Sequence, residues 1–426
     1  MEENLECENR KGKVLYIIEA ALEYFISLIV AGAYLAKVTS AIGMSQGLTG
    51  ILTSFISLGA VFQIFALFFA GKRRPKRFVT LIHTLNQLCF VFLYLIPLIS
   101  IPDVVKHVFF AVFLLVGYLL FNLVSSPKIA WGMLFVGEEE RGRYTAKKEI
   151  YSLISGMIFS YLVSFVIDYF EEKGELNVAF IISAISIFIL MIAHTFTLLK
   201  MPERELPVQN EKITFTASLK TVFGNSSVRK VLVVATLYQV ANCMVYSFYG
   251  TYATNESSQF GLGFTMSFIA IVSILYSIVR ACVSQPMGRL ADRYSFKTVS
   301  ILCYGLLAVS FLFGAFMIPS NGKVFYTLFF IVYAIAQSGI NSGIINLLYE
   351  EVEPAQRMSA YAVQQAFAGL VGFLSAIVAG IFVDAVHENG GKLLGLYAQQ
   401  WLSVWGVVIS LMIVAFIYFV MKKKDR

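Results

Sequence analysis

"VLYIIEAALEYFISLIVAGAYLAKV", Val14 to Val38, is an apolar run broken by two acids, Glu19 and Glu23. A helix that crosses the hydrocarbon core of a bilayer needs about 20 mostly apolar residues, and this run has that length. Eleven more of the same kind follow at 48–70, 78–100, 107–126, 150–170, 176–199, 229–252, 262–284, 298–318, 324–348, 360–385 and 396–420. At membrane depth every backbone N–H and C=O needs an internal partner, which selects helices. The chain is 58% apolar and only 14% charged, against about 45–50% and about 25% in soluble domains. The expected fold class is therefore an all-α polytopic membrane protein with twelve transmembrane helices.

The loops set the expected orientation. With both termini and every second loop assigned to the cytoplasm, all but five of the 33 Lys and Arg residues fall on that side or in the adjoining helix ends; the exceptions are Lys37, Lys106, Lys173, Lys323 and Lys392. This is the positive-inside pattern. It accounts for the net charge of +7 without nucleic acid. The short N-terminal stretch has mixed charge and no small-residue cleavage site before the first run, so no removable signal peptide is expected.

The chain repeats itself weakly. Gly71 and Gly288 are 217 apart, Arg141 and Arg357 are 216 apart, and Asp168 and Asp384 are 216 apart. One offset shared by three landmarks implies two homologous six-helix halves, 1–199 and 229–426. They are joined by a polar cytoplasmic linker, 200–228, in which Thr216–Phe223 suits a short interfacial helix.

Gly288–Lys297, "GRLADRYSFK", carries a resemblance. It is similar to the cytoplasmic signature of the major facilitator superfamily of secondary transporters, with Gly288, Leu290, Asp292, Arg293 and Lys297 in place and Ser295 where a Gly is usual. The first-half counterpart, "GKRRPKRF", keeps Gly71 and the basic cluster but has Pro75 in place of the acid. The fourth run lacks the Arg often linked to proton coupling, and the fifth lacks the Gly-Pro pattern of many drug/proton antiporters. The resemblance implies two pseudo-symmetric six-helix bundles around a central cavity, lined by helices 1, 4, 7 and 10. It also implies gating roles for Gly288, Asp292 and Arg293, with Arg141 and Arg357 as second-rank gates. Asp292 is expected at a helix N-terminus, where the macrodipole favours an anion.

Each of those four runs carries a polar stripe at helical spacing: Glu19, Glu23 and Ser27; Tyr118, Asn122 and Ser126; Tyr238, Asn242 and Tyr246; Tyr333, Gln337 and Asn341. Polar residues inside a membrane must face protein or water and are functional candidates. The last three stripes are the expected substrate-binding residues, since amides and phenols suit a polar organic solute. At 1.5 Å per residue, Glu23 lies roughly 13–14 Å along the first helix and Glu19 roughly 7–8 Å. Glu23 is thus the expected coupling site, and Glu19 its neighbour or a gate. Lys128 and Arg280, near cytoplasmic helix ends, read as snorkelling cations. Asp168 and Asp384, near outer helix ends, read as packing or interface residues.

Other chemistry finds little support. Gly43–Gly47, "GMSQG", matches a nucleophile elbow in letters but sits between two membrane runs rather than between strand and helix. There is no phosphate-binding G-x-x-x-x-G-K-[ST]. The cysteines show no metal spacing, and His83, His107, His194 and His387 are scattered, so neither a metal nor a cofactor is expected. Asn255–Ser257 is a formal glycosylation sequon in an outer loop. The expectation is a non-enzymatic secondary transporter, monomeric and most simply placed in a bacterial inner membrane, whose partners are a small solute, protons and the bilayer. Efflux of a drug-like lipophilic cation is the alternative within that class. A transporter-like sensor without flux is the alternative outside it.

Overall fold

The computed structural model describes residues 2–63, 74–137, 140–205, 215–353 and 356–421. The chain is helical except for one two-stranded hairpin. Its helices are α1 (Glu2–Ile29), α2 (Gly32–Ala41), α3 (Gln46–Thr53), α4 (Phe55–Gly59), α5 (Lys76–Leu95), α6 (Asp103–Met133), α7 (Arg141–Glu172) and α8 (Leu176–Lys200). They continue with α9 (Phe215–Gly224), α10 (Ser226–Thr254), α11 (Met266–Arg293), α12 (Phe296–Ala315), α13 (Gly322–Tyr349), α14 (Arg357–Glu388) and α15 (Ala398–Val420).

Among the described residues, ten helices are long and apolar enough to cross a membrane, and eleven if the bent pair α1–α2 counts as one span. The bend is 45°. Gly32, with φ +54°, permits it, because that left-handed backbone strains any residue with a Cβ. The second expected span is described only in part, as α3, α4 and a 3-10 turn at Ala60–Phe62. Its inner end, with Gly71 and much of the basic cluster after it, lies outside the described residues.

The chain forms two compact units: residues 1–44 with 62–212, and residues 45–61 with 213–426. In the first, α1 packs on α7 and α8, and α5 packs on α6 and α8. Its inner core gathers Tyr16, Val79, Trp131, Phe135, Tyr144 and Leu198. Trp131 is fully buried, and its indole N–H donates to the Pro202 carbonyl at 3.1 Å.

In the second unit, α12 packs on α13 and α15, α10 packs on α14 and α15, and α3 lies against α14 and α10. Segment 45–61, counted with the first half on sequence grounds, is therefore seated in the second unit. α9 covers the expected interfacial helix, but Val222 on it is buried among Val228, Val231 and Leu348. The helix is docked on protein by that face. The hairpin pairs Lys392 with Tyr397 and Leu393 with Leu396. Its two-residue loop, Leu394 and Gly395, has positive φ at both positions, as a tight primed turn requires.

The 216-residue offset recurs in the helices. α7 and α14 each have 32 residues, and Arg141–Glu172 maps onto Arg357–Glu388 at both ends.

Candidate functional site, a buried ion cluster in the first unit

α1 presents Glu19 and Glu23 one turn apart on one face. Four further side chains from three other helices meet them: Lys128 of α6, His83 and Gln87 of α5, and His194 of α8. Lys128 Nζ lies 2.9 Å from Glu19 Oε1 and also pairs with Glu23 Oε2. His194 Nε2 is 3.3 Å from Glu19 Oε1, and His83 Nε2 is 3.1 Å from Glu23 Oε2. The two imidazoles meet edge to face, with ring centroids 4.9 Å apart.

Three sequence expectations are corrected here. Lys128 does not snorkel: α6 runs on to Met133, so the lysine sits inside the helix, buried against two carboxylates. The histidines are not all scattered, because α5 and α8 pack side by side and bring His83 and His194 together. Glu19 is the more enclosed acid, fully buried, while the Glu23 side chain keeps 19% of its exposure. Distance along the helix misjudged this, since burial depends on what packs around each turn.

The contacts admit two proton arrangements. Gln87 Nε2 lies 3.1 Å from His194 Nδ1. With the amide N–H₂ donating, Nδ1 must accept, so the ring proton sits on Nε2 and donates to Glu19. The amide also offers a second state. Gln87 Oε1, His83 Nδ1 and Nε2, and Glu19 Oε2 have no hydrogen-bond partner among the described residues. If the Gln87 amide rotated, Oε1 would accept a proton from Nδ1, so the same glutamine can serve a neutral or a protonated imidazole. With neutral rings the cluster holds two carboxylates and one ammonium, one negative charge in excess. Glu19, Glu23, His83 and His194 also offer one ligand atom each, all within 4.8 Å of one another. Such a set would suit a transition metal, but the Lys128 ammonium already contacts both carboxylates. Nearby, Lys148 is engaged by Tyr16, 3.3 Å from its hydroxyl.

Most groups of the remaining polar stripes find partners within their own unit. In the first, Ser27 returns its hydroxyl to the Tyr24 carbonyl at 2.7 Å, and Tyr118 donates to the Val30 carbonyl at 3.2 Å. Asn122 donates to the Tyr118 carbonyl and accepts from Gln63 at 3.1 Å, while Ser126 is exposed.

In the second unit the stripes of α10 and α13 pair rung by rung. Tyr238 and Gln337 exchange hydrogen bonds at 2.7 and 3.0 Å, and Tyr333 donates to Asn242 Oδ1. The two rungs have equal residue-number sums, as antiparallel helices dictate. Tyr246 stacks on Tyr333 with centroids 5.3 Å apart and stays over one-third exposed. Asn341 is exposed and, with Tyr238, borders a cavity of about 40 Å³, room for water but not for an organic solute.

Asp384 has a defined role. Its carboxylate accepts from the Gly47 N–H at 2.9 Å and from the Ser45 hydroxyl at 2.7 Å, at the N-terminus of α3. A Cβ on Gly47 would overlap the Gly380 carbonyl and the Asp384 carboxylate, so only glycine admits this approach. Ser45, the serine of the elbow-like "GMSQG", is thus a helix cap bound directly to a carboxylate, with no imidazole between them.

Comparison with known proteins follows the same lines. Residues 235–426 match the sequence family described as Major Facilitator Superfamily. The nucleoside transporter NupG has a similar structure: TM-score 0.71, 17% identity, covering 98% of this chain and 100% of that one. The fold is that of the major facilitator superfamily. A D-xylose–proton symporter superposes with TM-score 0.70 at 14% identity, covering 97% of this chain and 98% of that one. The xylose transporter XylE from E. coli, partially occluded and inward open, gives 0.65 at 13%, covering 99% and 100%. At such identities the likeness is one of fold. No characterised protein matches the chain significantly by sequence.

The stretch that resembles the superfamily's signature, Gly288–Lys297, is helical except at Tyr294 and Ser295. Gly288, Asp292 and Arg293 are exposed in the last turns of α11. Asp292 is therefore not at a helix N-terminus; Ser295 caps α12 instead, its hydroxyl accepting from the Thr298 N–H at 3.1 Å. Arg141 and Arg357 each open a helix at equivalent positions. Arg357 donates to the Val352 carbonyl at 3.3 Å and lies over the Tyr349 ring, while the Arg141 side chain is outside the described set.

Proposed function

We propose that this integral membrane protein is a secondary transporter that moves a small polar organic solute by alternating access, coupled to protons through the Glu19–Glu23–Lys128–His83–His194 cluster. The observation that carries the coupling is the cluster's composition. Two carboxylates share one ammonium among membrane-spanning helices, and one excess negative charge there is costly. One proton balances it, held by an imidazole with Gln87 rotated or by a carboxylate. Reorientation would follow neutralisation.

The solute would contact the tyrosine and amide groups of the second unit, Tyr238, Asn242, Tyr246, Tyr333, Gln337 and Asn341; Tyr118, Asn122 and Ser126 are the corresponding polar groups of the first unit. Hydroxyls of the solute would replace some of the rungs that these residues now make with one another. Nucleosides and pentoses, the cargo of the similar structures, have that chemistry. Gly288, Asp292, Arg293, Arg141 and Arg357 would act as gates. The basic-residue distribution supports cytoplasmic termini, and a bacterial inner membrane and a monomer complete the reading. The lipophilic-cation alternative loses ground, because Lys128 already occupies both glutamates.

The test is uptake of labelled nucleosides and pentoses by proteoliposomes under an imposed pH gradient, acid outside. Saturable accumulation that collapses with the gradient is expected. Ligand-induced stabilisation with no flux of any solute would overturn transport.

A further inference from the structure

A second site lies away from the buried cluster, where the first two turns of α7 meet the middle turns of α1. A half-open cavity of about 310 Å³ is walled by Arg10 and Lys13 of α1 and by Arg143 and Lys147 of α7, with Glu140 at its edge. Its floor is apolar, formed by Val14 and Ile17. Glu140, the one acid in the lining among the described residues, is already engaged: it pairs with Lys13 and accepts from the Gly137 N–H at 3.2 Å. Arg10, Arg143 and Lys147 have no carboxylate within ion-pair distance among the described residues. The cavity also abuts the first turn of a 32-residue helix, where backbone N–H groups and the dipole favour an anion.

What lies beside this basic pocket indicates the kind of anion. α1 and α7 run parallel and in contact: Tyr16 faces Tyr144, Gly156 faces Tyr24, and Phe25 stacks on Phe159 at 5.1 Å. One helical step beyond the pocket, both helices turn apolar side chains outward. Val14 and Ile18 on α1, and Tyr151, Ile154 and Ile158 on α7, are 42–61% exposed. Lys147, Tyr151, Ile154 and Ile158 share one face of α7 by their spacing. A cationic pocket thus opens onto a continuous apolar stripe on membrane-spanning helices. A free anion would use only the first of these features; an amphiphile uses both.

We infer that this pocket binds an anionic phospholipid of the leaflet in which α1 and α7 begin, the phosphate among Arg10, Arg143 and Lys147 and the acyl chains along the α1–α7 stripe. Juxtamembrane basic clusters attract anionic lipid, and a half-open cavity adds stoichiometric retention to that attraction. The occupant ties the middle turns of α1, which carries Glu19 and Glu23, to α7. The inference is independent of which solute the protein carries.

Native mass spectrometry of the full-length protein tests it, after reconstitution in nanodiscs of equal phosphatidylglycerol and phosphatidylcholine. Wild type should retain phosphatidylglycerol at least fivefold over phosphatidylcholine, with one tightly held copy. The triple variant Arg10→Gln, Arg143→Gln, Lys147→Gln should lose that copy. A control that removes charge elsewhere, Lys200→Gln with Lys220→Gln, should keep it. All these positions are at the surface, and monodisperse elution with unchanged helical circular dichroism verifies folding. Because the wild-type lipid preference is read without any variant, an equal hold on both lipids overturns the inference. So does equal retention by the triple variant, and so does displacement of the lipid by millimolar inorganic phosphate, which would assign the pocket to a soluble anion.

Discussion

Lys128 Nζ stands 2.9 Å from Glu19 Oε1, and both groups are buried. Neither end can be removed quietly. Breaking a buried ion pair from one side leaves an uncompensated charge and costs about 3–5 kcal/mol. Lys128→Ala is therefore expected to unfold at markedly lower temperature than wild type in the same detergent. Lys128→Met combined with Glu19→Gln should recover most of that loss. Equal melting of Lys128→Ala and wild type would mean that the pair carries no strain-free charge compensation.

The Tyr238–Gln337 rung joins α10 and α13 through two hydrogen bonds. If a solute hydroxyl takes the place of one of them, Gln337→Ala should raise KM for the transported solute about tenfold, equivalent to about 1.4 kcal/mol. Maximal velocity should change less. A lowered velocity at unchanged KM would indicate that the rung serves packing alone.

Asp384 caps α3 through Gly47 and Ser45. Losing an N-terminal cap typically costs about 1 kcal/mol. In Asp384→Ala, amide hydrogen exchange should quicken over residues 46–50 and change little in α12 or α13. Asp384→Asn keeps an acceptor oxygen and should lie between the two.

Glu140 gives a pH dependence of known sign. Lys13 donates to its carboxylate, and with the Gly137 N–H this holds the carboxyl below its ordinary range. A carboxyl depressed by folding adds stability above its unfolded pKa and loses it as pH falls through the folded value. The contribution at this exposed position is small. It should appear as a slight acid-side loss of stability in wild type that is missing in Glu140→Gln. The same variant, with an acid of the basic pocket neutralised, should retain phosphatidylglycerol at least as well as wild type.

Ten of the expected spans were legible among the described residues, and an eleventh as the bent pair α1–α2, because hydrophobic length alone specifies a helix in lipid. The 216-residue repeat was legible too, and α7 and α14 obey it at both ends. The buried cluster was only half legible. Glu19 and Glu23 stand out as acids in an apolar run, but His83, Lys128 and His194 are single residues on three other helices. Their meeting depends on the rotation of each helix about its axis, which no local pattern encodes. A usable signal was present: Glu19, Glu23, His83 and His194 lie in expected spans of the same half and Lys128 two residues beyond one, each needing a partner. The seating of segment 45–61 in the second unit was illegible for a related reason, since sequence order assigns it to the first half and tertiary packing alone moves it.

Proton coupling through the cluster is tested most directly by Glu23→Gln in proteoliposomes, with counterflow and pH-driven uptake of the same labelled solute measured side by side. The account predicts that counterflow survives while accumulation against a gradient, acid outside, is lost. Full pH-driven accumulation by this variant and by Glu19→Gln would contradict it.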